Sequence, residues 1–317
     1  MFITVLICTR NRADSLHDTL ASIFCPSNLA QHDWEVVVIF SPVDQNKTLD
    51  VCREYQQSYP KLFTAYAEDS VGKSCALNVG IARSRGDILA MTDDDVRCGS
   101  DYIHAIRATF NDTTIDAAQG RVLLDCEGGR PSWMDEEMAA FMSLRDFGEE
   151  PQEWQSNLTG TNMIVRRQVI KTIGGFCPAM GASAVGFMED SEFSMRLYKA
   201  GFRVIYAPTI SVAHRLDRCR LSAAFFLERY FRWGRSQAYM QPLPIKLVRF
   251  SMYAVRQFIS SETSAVWHYL VRHQNPEPSM TLRCKARHEL GFAWQHWLFQ
   301  FGGGKPQLKG EDVIGLF

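Results

Sequence analysis

The chain has 317 residues, 46% hydrophobic and 22% charged, with a net charge of -1. Such a composition supports a folded core and excludes a disordered or collagen-like chain. The charge is unevenly spread: residues 1–214 hold 19 Lys+Arg against 28 Asp+Glu, and residues 215–317 hold 15 against 7. An acidic body and a basic, aromatic tail point to different tasks. The tail suits phosphates, an anionic membrane surface or simply a solvated helical face. Nine scattered cysteines, none in a C-x-x-C pair, fit reduced thiols in a cytosolic protein and argue against structural zinc. The opening MFITVLICTRNR has an apolar run but no basic lead and no cleavage site, so it reads as a strand. No run reaches the roughly 18 apolar residues of a transmembrane helix.

Phe2–Cys8 is apolar and β-branched, which predicts a strand. It ends at Thr9-Arg10-Asn11-Arg12, and Ser15–Phe24 then has helical spacing. Trp34–Phe40 predicts a second buried strand, Lys47–Tyr59 a helix, Leu62–Ala67 a third strand and Lys73–Ser84 a helix. Asp87–Met91 predicts a fourth strand running into Asp93-Asp94-Asp95. Strands alternating with helices predict a mainly parallel α/β sheet, in which ligands gather at the strand carboxyl ends. Both Thr9–Arg12 and Asp93–Asp95 fall at such ends. Residues 127–158 read as irregular. Beyond them come a strand over Asn162–Arg166, a short helix over Gln168–Ile173, a turn at Gly174–Phe176, a helix over Glu189–Ala200 and a strand over Phe202–Tyr206 that ends near His214. From about Leu221 long aromatic-rich helices are predicted, broken at Pro242 and Pro244 and again around Asn275–Pro278.

Three adjacent carboxylates repel one another, so Asp93–Asp95 calls for a compensating cation. A hard ion with oxygen ligands, Mg²⁺ or Mn²⁺, fits better than zinc. A solvated turn or cap is the competing reading. Glu189-Asp190 opens a helix, where the macrodipole favours carboxylates. Either could take a proton from an acceptor hydroxyl, or both could simply cap the helix. His214 gains meaning as a metal ligand only beside the aspartates. Gly160-Thr161-Asn162 is a close backbone approach that serves an acceptor sugar or only a turn. Arg229-Tyr230-Phe231-Arg232-Trp233 is basic and aromatic, suited to phosphate, a sugar face or packing on the body.

In order, VLICTRNR, GKSCALNVGIARSRGDILAMTDDDV, GTNMIVRR, GGF, MEDSEFSMRLYKAGFRVIY and His214 resemble family 2 glycosyltransferases with the GT-A fold. The resemblance covers roughly residues 1–240. It implies a Rossmann-like GT-A domain over 1–215 with a helical extension over 216–317. It implies inverting transfer from a nucleotide sugar, usually a UDP-sugar, with Mn²⁺ or Mg²⁺. Thr9, Arg10, Arg12, Lys73, Asp93 and Asp94 then fall on the donor side. Asp95, Asp93 and His214 are the implied metal ligands. Asp190 is the preferred base, with Glu189 its runner-up, and Gly160, Thr161 and Asn162 face the acceptor. Arg232 and Trp233 are similar to the R-x-x-R-W element of processive members, as a donor and an acceptor contact. Relatives usually carry an acidic residue after the second strand that reads the base; here Asp44 takes over, or the base is held differently. The implied acceptor is a glycan or lipid-linked hydroxyl in bacterial surface polysaccharide synthesis, with peripheral membrane contact through the C-terminal helices and no nucleic acid. Two rivals are a nucleotidyltransferase, which would want a Gly-rich loop that CTRNRADS lacks, and a non-catalytic sugar- or lipid-binding module.

Overall fold

The computed structural model describes residues 1–42, 47–69, 72–181, 186–241, 246–270 and 279–301. Its elements run β1 (Ile3–Thr9), α1 (Ala13–Ile23), α2 (Pro26–Leu29), β2 (Trp34–Phe40), α3 (Lys47–Ser58), β3 (Phe63–Ala67), α4 (Lys73–Arg83), β4 (Ile88–Thr92), β5 (Val96–Cys98) and α5 (Tyr102–Phe110). There follow β6 (Ala117–Cys126), α6 (Glu136–Phe141), β7 (Gln152–Glu153), β8 (Asn162–Arg166), α7 (Arg167–Ile173), α8 (Glu189–Lys199), β9 (Val204–Leu216), α9 (Ala223–Met240), α10 (Leu247–Leu270) and α11 (Met280–Phe301). Asp44, Pro242, Pro244 and Asn275–Pro278 lie outside the described residues.

The chain divides into two compact units. The first comprises Met1–Asp125, Met142–Pro178 and Glu189–Arg215. Its sheet has the order β3-β2-β1-β4-β8-β6-β9-β5, with β7 paired to β9. Every side chain of β2 is buried, and in β1 all but Cys8, as the inner strands of a sheet covered on both faces require. Alternate residues of β1 serve opposite layers. Ile3, Val5 and Ile7 pack in one core with Leu16, Leu20 and Ile106, whereas Leu6 joins Leu77, Met91 and Phe193 in the other. The sheet is mixed. β1, β2, β3 and β4 are parallel; β8 pairs antiparallel with β4 and β6, and β9 antiparallel with β5 and β7. The predicted strand at Phe202–Tyr206 continues to Leu216, so His214 lies within a strand and not beyond its end. The stretch that reads as irregular contains α6 and the short β7.

The second unit comprises Cys126–Phe141, Ala179–Met188 and Leu216–Phe317. Helix α9 begins where Ser222 accepts a hydrogen bond from the Phe225 amide at 3.3 Å. It packs closely on α11 through two glycines. A Cβ added at Gly234 would lie 1.9 Å from the His288 carbonyl oxygen, and one at Gly291 would lie 2.0 Å from that of Phe231. Both obstacles are backbone, so neither can swing aside. Gly234→Ala or Gly291→Ala should therefore destabilise this unit by about 1–3 kcal/mol, as overpacked cores do. Urea unfolding followed by tryptophan fluorescence checks this, and an unchanged midpoint for both variants would refute the crossing.

Candidate active site

Adjacent parallel pairing of β1 with β4 sets their carboxyl ends side by side, with Ile7 opposite Thr92. The residues just past those ends meet. Thr9 Oγ1 donates to Asp94 Oδ2 at 2.5 Å. Arg12 Nη1 donates to Asp94 Oδ1 at 3.0 Å and to Asp95 Oδ2 at 2.7 Å. Burial raises the Asp94 carboxyl above its usual range, although Arg12 pulls the other way. Arg12 thus bridges two of the three aspartates.

The third aspartate is held from the opposite side. Lys73, the first residue of α4, donates from Nζ to Asp93 Oδ1 at 2.6 Å, and its Nζ stands 3.9 Å from Glu189 Oε1. Thr161 Oγ1 donates to Asp93 Oδ2 at 2.8 Å. Burial is the largest influence on the Asp93 carboxyl and would raise it, but the Lys73 charge and hydrogen bond, with the other attractions around it, together hold it below its ordinary value. A Cβ at Gly160 would sit 3.5 Å from Lys73 Nζ, so the smallest residue marks the place where the loop before β8 passes the ammonium.

Asp95 faces His214. The β5–β9 register sets His214 opposite Val96, the residue after Asp95, and brings His214 Nε2 to 3.4 Å from Asp95 Oδ1. The other ring nitrogen, Nδ1, lies 2.9 Å from the Met142 carbonyl oxygen. A carbonyl can only accept, so Nδ1 carries a proton toward it. Nε2 then presents a lone pair to a carboxylate oxygen, an arrangement that needs a proton or a cation between the two. Asp93, Asp95 and His214 each offer one ligand atom, all within 4.8 Å of one another. This donor set of two carboxylates and one imidazole fits a divalent ion.

Glu189 and Asp190 open α8, after Met188 at φ 76°. A positive φ is costly for methionine, and it sets the two carboxylates at the head of the helix. Asp190 Oδ1 accepts from the Ser191 amide at 2.8 Å and Oδ2 from the Gly160 amide at 3.3 Å. Burial, and then the neighbouring Asp190 charge, push the Glu189 carboxyl up to about 7. Burial pushes the nearby Cys8 thiol up to about 12, so a protonated thiol and not a nucleophilic thiolate stands beside the carboxylates.

Two contributors carry no signal in the sequence. Arg145 has its guanidinium lowered by burial while the Asp190 charge acts in the opposite sense, and Met142 contributes only its carbonyl to orient His214. A backbone acceptor has no residue-type signature, and Arg145 lies in the stretch that reads as irregular. Asn162 departs from its expected role. It is fully buried, its Nδ2 donates to the carbonyls of Arg121 and Ile210 at 3.0 and 2.8 Å, and its Oδ1 accepts from the Tyr102 hydroxyl at 2.9 Å. These bonds tie β8 to its neighbours and use both Nδ2 hydrogens, leaving Oδ1 with one further lone pair. Arg10 is exposed. Arg232 and Trp233 belong to the second unit. There Arg232 is exposed and paired with Glu228 at 2.8 Å, and Trp233 packs on Phe141, Tyr230 and His288.

The model of glycosyltransferase like family 2 matches residues 2–236. A glucosyl-dolichyl phosphate glucuronosyltransferase of Haloferax volcanii is 27% identical over 252 residues, covering 77% of this chain and 78% of its own. A beta-monoglucosyldiacylglycerol synthase of Trichormus variabilis is 26% identical over 214 residues, covering 66% of this chain and 44% of its own. Among solved structures, the mannosyltransferase PcManGT of Pyrobaculum calidifontis, in complex with GDP-Man and Mn²⁺, superposes with a TM-score of 0.56 at 18% identity over 96% of this chain and 76% of that one. That likeness is one of fold: a mixed sheet of the GT-A type with helices at the C-terminus. With the acidic cluster standing at the carboxyl end of β4 and the match running through most of the chain, the protein belongs to glycosyltransferase family 2.

Proposed function

We propose that this chain transfers a sugar from a nucleotide-sugar donor to the hydroxyl of a lipid-linked acceptor, with inversion at the anomeric carbon. The observation that carries the reading is the convergence of Asp93, Asp95 and His214 within 4.8 Å of one another, with Lys73 Nζ 2.6 Å from Asp93 and 3.9 Å from Glu189. The names of two relatives, one acting on a dolichyl phosphate sugar and one making a diacylglycerol glycolipid, support a lipid-linked acceptor.

In this reading Thr9, Arg10, Arg12, Lys73, Asp93 and Asp94 form the donor side. Asp93, Asp95 and His214 would hold a Mn²⁺ or Mg²⁺, which supplies neutralisation of the charge that develops on a departing diphosphate. Lys73 adds a fixed positive charge to the same side. Gly160 and Thr161 line the acceptor approach, where Asp190, fixed by two backbone amides, takes the proton of the attacking hydroxyl. The acceptor oxygen bonds to the anomeric carbon as the bond to phosphate breaks, and the electron pair leaves with the nucleoside diphosphate. One displacement with one base inverts the configuration. UDP is the first nucleotide to test, with GDP second because the PcManGT complex contains GDP-Man. Assembly of surface polysaccharide or glycolipid is the proposed setting, with peripheral membrane contact through the C-terminal helices.

Thermal unfolding with Mn²⁺ plus UDP, GDP or dTDP tests donor binding. A nucleotide at 100 times its Kd should stabilise the protein by about 2.7 kcal/mol. Hydrolysis of the matching nucleotide sugar then identifies the donor. No shift with any nucleotide and no hydrolysis would favour a non-catalytic binding module.

A further inference from the structure

Helices α10 and α11 carry an apolar face that packing does not use. On α10, Val248, Met252, Val255, Ile259 and Val266 are 60%, 70%, 47%, 55% and 54% exposed. Their spacing of 4, 3, 4 and 7 residues returns each time to one side of an α-helix. The buried residues Phe250, Ala254, Ser261 and Ala265 lie on another side, against α11 and its neighbours. Trp297 of α11 joins the stripe, held by its indole N–H to Ser251 Oγ at 2.7 Å. Val248, Met252, Val255, Ile259 and Trp297, with Arg256, line a groove of about 640 Å³. Trp294 and Phe301 of α11 are likewise exposed.

Charge selects the occupant. Lys246, Arg249 and Arg256 are exposed, and no described carboxylate pairs with them. Arg249 and Arg256 each follow a stripe residue by one position, so they flank the apolar face. The two carboxylates among the described residues of α10 and α11 are engaged or sheltered: Glu262 is held by Arg283 at 3.0 Å and by Arg287 at 3.5 Å, and burial raises the Glu289 carboxyl. A second copy docked face to face would bring basic groups together with no acid to meet them. An anionic lipid surface meets both the apolar stripe and the flanking cations, and tryptophans suit the interface between water and acyl chains. No described helix is long and apolar enough to cross a membrane, which leaves the in-plane mode for this face.

We infer that the α10–α11 face docks on an anionic membrane surface, with Val248, Met252, Val255 and Ile259 entering the headgroup boundary and Lys246, Arg249 and Arg256 contacting lipid phosphates. The inference deepens the lipid-linked acceptor reading and rests on it only for its purpose. The full chain is floated with phosphatidylcholine vesicles, with and without phosphatidylglycerol. It should bind the anionic vesicles, less so at high salt. Met252→Glu with Ile259→Glu should weaken binding about tenfold or more, and Arg249→Glu with Arg256→Glu should do likewise on anionic vesicles only. All four positions are exposed, and an unchanged nucleotide-induced melting shift shows that the fold is intact. No flotation, or flotation of the Met252→Glu, Ile259→Glu variant equal to that of the wild type, overturns the proposal. So does a concentration-dependent dimer that this variant breaks while the vesicles stay bare. Transfer to a detergent-solubilised lipid-linked acceptor without flotation would sink the docking alone. Flotation without such transfer would sink the acceptor reading alone.

Discussion

Asp95→Asn is expected to lower sugar transfer by about 100–1,000-fold, the loss seen when a charge-stabilising group is removed from a transition state. The same substitution should leave a folded protein. Asn keeps the shape of Asp, its carbonyl can still accept from Arg12, and the change relieves repulsion among three adjacent acids. The cause of the loss is separable from fold damage. Mn²⁺ should raise the melting temperature of the wild type and leave that of the variant unmoved, because one of three ligand atoms is gone. Turnover near that of the wild type, or an undiminished Mn²⁺ shift, would remove Asp95 from the metal site.

Asp190→Asn should cost about 100–10,000-fold in turnover, the range for loss of a general base, with nucleotide binding retained. Glu189→Gln distinguishes the two neighbours through pH. The Glu189 carboxyl has an ordinary value of 4.5 and is pushed up to about 7 in the folded chain. Between these values the native state binds a proton that the unfolded state has released. The wild type therefore loses stability as pH rises through this window, while glutamine has nothing to titrate. In metal-free buffer Glu189→Gln should unfold at a higher temperature than the wild type at pH 8, by a margin on the order of 1–3 kcal/mol. The margin should shrink to nothing near pH 4.5. If Glu189→Gln abolishes turnover while Asp190→Asn retains it, the base is Glu189 and the assignment reverses.

The parallel half of the sheet was open to sequence reasoning because its strands are apolar runs whose partners come in chain order. The antiparallel half was less so. β9 contains Pro208 and alternates in burial beyond it, so its second half carries no continuous apolar run to announce it. Among the candidate site residues, Asp93, Asp95, Lys73 and Glu189 stand out because they cluster at the ends of strands and helices, where a parallel sheet gathers ligands. Arg145 and the Met142 carbonyl do not, because their parts depend on where a distant segment passes. Asn162 has a structural part that residue type alone does not announce: its amide bonds the carbonyls of Arg121 and Ile210 and the Tyr102 hydroxyl.

The pairing of Val96 with His214 has a mechanical side. β5 is three residues long and stands at the edge of the sheet, where backbone pairing is weakest and fraying is easiest. A slip of β5 by one residue along β9 would turn the side chains of β5 to the other face and carry Asp95 away from His214. An ion gripped by both Asp95 and His214 would pin that register from outside the backbone, as a clasp holds a hem. Tightness of ion binding and slowness of amide exchange along β5 would then be two readings of a single equilibrium.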